Sequence, residues 1–354
     1  MAPYERPLES PTRPKQVVGI GVVGYGYWGP NLVRNFGTTH GARMVAVSDL
    51  SPNRLASVRA QYPALKTTPY YEDMLLDPEV TAVAIATPVS SHFRLAMQAL
   101  EAGKHVLVEK PMALNSGQAA LLVDEAEKRD LVLMVDHTFV YHGSVRRIRE
   151  LVQSGQIGKL LYFDSTRVNL GLFQRDVDVL WDLAVHDLSI MDYVIGRQPV
   201  AVAATGVAHV PGQPVNIAYL TCTFEDSLIA HVNVNWLAPV KVRRTLIGGD
   251  RQMIVYDDLE PSEKVKVYDS GITLGDGPAG LDGPYDRLVG YRTGDMWAPK
   301  VSLGEALAVE AQHFVDCIAQ NATPLTDGKA GLRIVRILEA ATRSLKQGGC
   351  PVEL

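Results

Sequence analysis

Residues 17–36 read VVGIGVVGYGYWGPNLVRNF. The first eight are apolar or glycine and close on Gly24, the pattern of a strand buried on both faces. A helix is expected from about Trp28 to Phe36. Between the two lies Gly24-Tyr25-Gly26-Tyr27-Trp28-Gly29, a GxGxxG sequence. In a dinucleotide site Gly24 permits the tight turn, Gly26 lets the backbone approach a pyrophosphate, and Gly29 lets the helix pack close to its strand. The free N–H groups of the helix start then face the phosphates, with Tyr27 and Trp28 beside them. Glycine-rich turns are common, so the weight rests on the strand before this one and the helix after it. Asp49 ends the next strand, MVAVSD (44–49), 20 residues beyond Gly29. A carboxylate there meets ribose hydroxyls and repels a 2′-phosphate, so NAD is expected over NADP. Arg54, close by, leaves NADP open.

Outward from this unit the chain alternates. PNRLASVRAQ (52–61) reads as a helix behind Ser51 as N-cap, VTAVAIATP (80–88) as a strand, SHFRLAMQALEAG (91–103) as a helix. HVLVEKP (105–111) is a strand, SGQAALLVDEAEKRD (116–130) a helix, LVLMVDHTF (131–139) a strand. This alternation with short links predicts an α/β Rossmann domain, a doubly wound parallel sheet, over 16–140. After about residue 155 the rhythm changes. One helix is expected around 180–196. Strand-like runs follow at 200–210, 215–224, 228–237, 242–248, 252–258 and 264–269 with no helices between them. They predict an α+β domain with a large open, mostly antiparallel sheet over 141–328, binding substrate and building oligomers. Residues 271–300, rich in Gly, Pro and Asp, read as a long loop. Helices are expected at 303–320 and 329–347, the last (329–354) returning toward the Rossmann domain.

The bulk numbers are those of a globular protein. The 354 residues suit two domains, 47% are hydrophobic and the net charge is −5. That balance argues against partnership with nucleic acid or an anionic membrane. No stretch approaches the roughly 20 apolar residues of a membrane span. Residues 1–15 carry prolines and charges without the apolar core of a signal peptide and read as a mobile tail, so the cytoplasm is the expected location. The three cysteines form no CxxC pair, and no HxH or HExxH pairing of histidines exists. No metal is expected.

Two further segments complete a pattern. Glu109-Lys110-Pro111 lies at the carboxyl end of the strand 105–111, the edge where open α/β sheets bind ligands. Asp182 and His186, in WDLAVHD (181–187), are spaced i, i+4 on one helical face. Read singly, such a lysine is ordinarily a solvated surface residue and such a histidine structural. Together with the glycine fingerprint, in this order and spacing, they resemble the glucose–fructose oxidoreductase/inositol dehydrogenase/MocA (Gfo/Idh/MocA) family across essentially the whole chain after residue 15.

The resemblance implies that Lys110, Asp182 and His186 face the nicotinamide and the reacting sugar carbon. Oxidising a secondary alcohol sends a hydride to nicotinamide and releases a proton, which needs a base and a cation near the developing alkoxide. His186 is assigned as principal acid/base, Lys110 as polariser or relay, and Asp182 as the group orienting sugar or imidazole. Which of Lys110 and His186 meets the proton first stays open. The same framework places Thr87, Pro88, His92, Glu109 and His137 beside the cofactor, although His92 and His137 are equally readable as ordinary loop residues.

The segments 24–31 (GYGYWGPN), 137–141 (HTFVY), 167–173 (RVNLGLF) and 181–189 (WDLAVHDLS) look like dehydrogenases of nucleotide-linked amino or deoxy sugars. The UDP-N-acetylglucosamine 3-dehydrogenase type and 3-ketosugar reductases belong there. The resemblance implies oxidation at C3. Arg167 and Asn169, two apart on one strand, are candidate sugar contacts. Asn235, in a polar row with His231 and Asn233, is another, with a subunit interface the alternative for that row. Lys241 and Arg243, with Arg244, are candidates for a diphosphate. The apolar row Val232, Val234, Trp236 is expected on an uncovered sheet face that pairs subunits into a homodimer or homotetramer. A dehydrogenase of a free sugar or inositol is the alternative, and a non-catalytic sugar or dinucleotide sensor the alternative of another class.

Overall fold

The computed structural model describes residues 17–171, 177–273 and 290–354. The tail 1–15, residues 172 and 173 of the RVNLGLF segment, and most of the 271–300 loop lie outside these described residues.

The first half runs β1 (Val18–Val23), α1 (Gly29–Thr38), β2 (Ala42–Ser48), α2 (Pro52–Gln61), β3 (Lys66–Thr68), α3 (Tyr71–Leu76), β4 (Ala82–Ile85), α4 (Val89–Glu101), β5 (His105–Glu109), α5 (Ser116–Lys128) and β6 (Leu133–Asp136). The six strands pair in parallel in the order β3-β2-β1-β4-β5-β6. β1, β4 and β6 are buried at every position, because helices cover both faces of the sheet. The order reverses between β1 and β4, and a crevice opens there at the strand carboxyl ends. β3 and α3 escape the sequence reading: three and six residues long and rich in polar groups, they are too short to show a period.

A 3₁₀ turn (Thr138–Tyr141) and α6 (Gly143–Gln153) lead into β7 (Leu160–Leu170). The helix expected around 180–196 is two elements, a π-helical turn (Leu180–Ala184) and α7 (Val185–Ile195), closed by Gly196 at φ 68°. Then come β8 (Ala201–Val207), β9 (Ile217–Thr223), β10 (Ile229–Asn235), β11 (Leu237–Gly249), β12 (Met253–Asp257) and β13 (Val265–Tyr268). The segment 271–300, expected as a loop throughout, contains short strands: β14 (Gly271–Thr273) pairs with β15 (Gly290–Arg292), and β16 (Met296–Trp297) joins β13. The chain ends on α8 (Ala306–Gln320), α9 (Gly328–Lys346) and β17 (Val352–Glu353). The second sheet has nine strands in the order β16-β13-β12-β11-β7-β10-β9-β8-β17. Its pairs are antiparallel except β10 with β7.

One expectation about this sheet is corrected. Val232, Val234 and Trp236 do not form an uncovered face; they are at most 1% exposed. They point at the π turn and the helices of the same chain, as inward residues of a half-covered sheet do. The outward row is the polar one: His231, part-exposed, stacks on Tyr219 with ring centroids 6.1 Å apart.

The two closing helices tie the halves together. α8 lies on α1, where Phe36 and Phe314 meet edge to face at 6.2 Å and Arg34 pairs with Glu305 at 2.6 Å. α9 packs on α5 and β6. Its Gly331 permits that approach, since a Cβ there would stand 2.6 Å from Val135.

Candidate active site

A cleft of about 710 Å³ opens at the carboxyl ends of β1, β2, β4 and β5. Gly24 turns the chain at φ +92°, and an added Cβ would meet the Ala86 carbonyl oxygen at 2.5 Å. A Cβ on Gly29 would fall 2.1 Å from the Gly24 carbonyl oxygen, so helix and strand pack as closely as the motif requires. Gly26 is different. A Cβ there would reach only the Arg54 guanidinium, at 3.8 Å, so its backbone faces open cleft.

Asp49, 7% exposed, lines the same cleft. Its Oδ2 accepts from Tyr25 N at 2.7 Å and lies 3.3 Å from Arg54 Nη1. Its Oδ1 accepts from Ser51 N at 2.7 Å. The carboxylate thus fastens the glycine turn to the start of α2, and Arg54 beside it is half-exposed. An open glycine, a helix N-terminus and a buried acid on one wall fit a dinucleotide: Gly24, Gly26 and Gly29 for the diphosphate, Asp49 for a ribose.

At the other end the lining passes through Thr87, Pro88 and His92 to Glu109 and Lys110. His92 is buried, with Nδ1 2.8 Å from Pro111 O and Nε2 2.7 Å from Thr87 O. It joins the loop after β4 to the loop after β5. Tyr27 is 91% exposed. Trp28 turns inward and donates Nε1–H to Asp136 Oδ2 at 2.9 Å.

The lysine and aspartate expected to act together do meet. Lys110 Nζ donates to the backbone oxygen of Asp182 at 2.8 Å and lies 3.3 Å from its Oδ1. Trp236 Nε1–H donates to the other carboxylate oxygen at 3.0 Å. The π turn aims Asp182 this way. It is started by Asp178, whose Oδ1 accepts from Leu180 N and Trp181 N at 2.9 and 3.2 Å. Lys110 and Asp182 line the cleft; His186 stands just past them, on the first turn of α7. Its Nδ1 is buried with no hydrogen-bond partner among the described residues. Its ring packs edge-on against Phe139 at 5.0 Å. Burial first, then the positive charges of Lys110 and Arg167, push its pKa well below the usual histidine value. The imidazole is neutral at physiological pH and able to accept a proton.

Phe139 is the hub that sequence reasoning missed. His142 stacks on it at 5.1 Å, and the Arg167 guanidinium lies 4.3 Å from its ring centre. Arg167 is also not the free sugar contact expected of it. It is 4% exposed and paired with Asp187, Nε to Oδ2 at 2.7 Å. Ser165 donates to the same carboxylate at 2.7 Å. A paired, buried guanidinium supports the floor under His186; it does not greet solvent. Asp136, Asp178 and Asp187 were likewise not among the expected site residues, and Trp236 was expected at a subunit interface, not on Asp182. Their only signal was position: each sits within a few residues of a motif, and their roles are contacts between segments far apart in sequence.

Other candidates scatter. His137, 2% exposed, does not line the cleft; it borders a separate hollow with Arg149, Asp192 and Arg333. Asn235 Oδ1 accepts from Leu237 N at 2.6 Å and shapes the turn between β10 and β11. Arg243 pairs with Asp258 at 3.2 Å, its guanidinium 5.6 Å from the Phe139 ring. Lys241 is exposed and lies where the β7–β11 register slips. Asn169 is part-exposed near the end of β7. Among the described residues no group of His, Cys, Asp and Glu is arranged to hold a metal, and no helix is long and apolar enough to cross a membrane.

Comparison with known proteins follows the same division. Residues 18–137 match the family model for an oxidoreductase family with an NAD-binding Rossmann fold, and residues 145–255 match the GFO/IDH/MocA C-terminal domain. UDP-N-acetylglucosamine 3-dehydrogenase of Acidithiobacillus ferrooxidans is 30% identical over 89% of this chain and 93% of its own. The chain belongs to the Gfo/Idh/MocA family. A solved structure of that Acidithiobacillus enzyme superposes with a TM-score of 0.78 at 27% identity, covering 93% of this chain and 98% of that one. Myo-inositol 2-dehydrogenase of Thermotoga maritima is 23% identical over 93% of this chain and 96% of its own. As a Gfo/Idh/MocA oxidoreductase, the chain has its Rossmann domain and mixed nine-stranded sheet accounted for, and most of its cleft lining comes from the domain that matches the NAD-binding Rossmann model.

Proposed function

We propose that this oxidoreductase transfers a hydride between NAD and C3 of a nucleotide-linked amino or deoxy sugar. The observation that carries the reading is the Lys110–Asp182–Trp236 arrangement at the inner end of a cleft whose outer end holds the glycine turn and Asp49. The 30% identity to a UDP-N-acetylglucosamine 3-dehydrogenase supports the substrate class.

Bound NAD supplies the hydride acceptor. Lys110 presents its ammonium to the substrate oxygen and stabilises negative charge as the alcohol loses its proton. His186, kept neutral by burial and by Lys110, receives that proton. Asp182 holds Lys110 in place and is itself held by Trp236. Lys241 and Arg244, exposed on β11, are the cations offered to a diphosphate; Arg243 is already paired to Asp258. That pairing, with the inositol dehydrogenase relative, favours the second reading, oxidation of a free sugar or inositol. NAD is preferred to NADP because Asp49 sits at the ribose end.

Assembly into homodimers or homotetramers belongs to the same proposal, through the outward sheet face that carries Tyr219, His231 and Asn233. Dinucleotide reduction measured across a panel of nucleotide-sugars, free sugars and inositols tests the substrate assignment.

A further inference from the structure

At the inner end of the cofactor cleft, starting from Glu109 in its lining, three carboxyl groups converge. Glu109 ends β5 and Asp136 ends β6, and the two are direct neighbours across the parallel pair. Glu310 arrives from α8 and is fully buried. Asp136 accepts from Trp28 Nε1 at 2.9 Å and from the Thr138 hydroxyl. Counted as carboxylates, Glu109 Oε1 and both oxygens of Glu310 have no donor among the described residues. No metal fits there, since no acidic group in the described residues is arranged to hold one. Three negative charges this close together, with Glu310 fully buried, would be severely unfavourable. A proton held between a glutamate and Asp136 supplies the missing donor.

We propose that Glu310 is a positioning residue for the cofactor cleft, and that a proton shared among Glu310, Asp136 and Glu109 fixes the Trp28 indole and the strand end that presents Lys110. The proposal rests on the dinucleotide reading of the cleft. Its logic is one of connection. Trp28 belongs to the GxGxxG turn and Lys110 follows Glu109 directly. Thus a single cluster joins both ends of the cleft to a helix more than 150 residues downstream.

The surroundings agree. Burial first, then Asp136, raises the pKa of both Glu109 and Glu310 well above the usual carboxylate value. The other groups facing the cluster cannot take the proton's place. His137, just before the 3₁₀ turn, is pushed down to about 4, and Tyr141 at its end is raised well above the usual tyrosine value, both chiefly by burial. On α8, burial raises the Cys317 thiol to about 11. All three are neutral at pH 7. Lys110 is the cation within reach, and it acts on Glu109. Asp192 on α7 adds only negative charge, felt at His137.

The sign follows from linkage. Between the ordinary glutamate value of 4.5 and the raised folded value, the unfolded chain has released a proton that the folded chain keeps. Stability is therefore full at low pH and falls as pH rises through that window. Once the cluster loses its proton, the Trp28 indole and Lys110 lose their fixed support and NAD affinity falls as well.

The test uses the full chain and two substitutions, Glu310→Gln, which keeps a donor and cannot ionise, and Glu310→Ala. Calorimetric titration of NAD over a rising pH series is run beside urea unfolding over the same series. The expected result is a wild-type affinity that declines toward alkaline pH, a Glu310→Gln affinity nearly level over the range, and a Glu310→Ala affinity lowered on the order of tenfold throughout. The unfolding series should show a pH slope that Glu310→Gln reduces. If Glu310→Gln follows the wild type in both series, no shared proton exists and the proposal fails. If only the unfolding slope changes, Glu310 is structural and the positioning role fails. If the wild type binds no NAD at any pH while its unfolding slope is intact, the cofactor reading is what has been overturned.

Discussion

Trp236 donates its indole N–H to Asp182 Oδ2 at 3.0 Å, across 54 residues of sequence. The other oxygen of that carboxylate faces Lys110 Nζ at 3.3 Å. The indole therefore decides which way the carboxylate presents itself to the ammonium. Trp236→Phe keeps most of the buried bulk and deletes that N–H. Turnover is expected to fall roughly tenfold, the worth of one hydrogen bond to a charged group, with NAD affinity little changed. Steady-state kinetics beside a cofactor titration checks it; unchanged turnover would mean that Asp182 needs no such support.

Lys110→Ala and His186→Ala are each expected to lower turnover by on the order of 10²- to 10⁴-fold. NAD should still bind, because Gly24, Gly26 and Asp49 lie at the opposite end of the cleft. The double variant should fall well short of the product of the single effects, since both residues serve one proton. The residual activity of Lys110→Ala carries a further mark. After burial, Lys110 is the next cause keeping the His186 pKa low. Its removal should move the acidic limb of the pH profile to higher pH. A limb that stays put would separate the two residues.

The parts of this site that lie within one motif were legible in the sequence, and the parts made by contact between motifs were not. The glycine turn, Asp49, Lys110 and Asp182 each stand at a position that a strand end or a turn fixes locally. His137 stands just past a strand end too, yet it lines a separate hollow, since the 3₁₀ turn that begins at Thr138 redirects the chain. Arg167 and Asn169 were paired on one strand face correctly, but which partner waits on that face is decided by α7, whose Asp187 takes the guanidinium. The apolar row Val232, Val234, Trp236 was expected uncovered for a related reason. Strand alternation shows that two faces differ, and the packing of helices from elsewhere in the chain decides which one is covered.

NAD is expected to bind more tightly than NADP, because the Asp49 carboxylate lies at the ribose end with its oxygens held by Tyr25 N and Ser51 N at 2.7 Å. Arg54, half-exposed and 3.3 Å from Asp49, is the group that would receive a 2′-phosphate. Asp49→Ser should narrow the preference or reverse it. Calorimetric titration with both dinucleotides checks this, and tighter NADP binding by the wild type would transfer the role to Arg54.

His137 makes the chain sensitive to acid. Burial holds its pKa down at about 4, against 6.5 for an exposed histidine. Between those values the unfolded chain takes up a proton that the folded chain refuses, so stability is full above pH 6.5 and falls as pH drops toward 4. The shift corresponds to about 3 kcal/mol. Urea unfolding at neutral and mildly acidic pH should show a smaller loss in His137→Leu than in the wild type; an equal loss would place the sensitivity at other histidines.

The identity of the substrate is tested most directly by dinucleotide reduction. Purified protein is supplied with NAD and, in separate reactions, UDP-N-acetylglucosamine and other nucleotide-linked amino and deoxy sugars, free sugars and inositols, and NADH formation is followed with Lys110→Ala as the control. The expected result is reduction of NAD with a nucleotide-sugar, a product carrying its ketone at C3, and loss of the signal in the variant. Reduction with inositol or a free sugar and none with any nucleotide-sugar would contradict the substrate assignment, and equal reduction by Lys110→Ala would contradict the site.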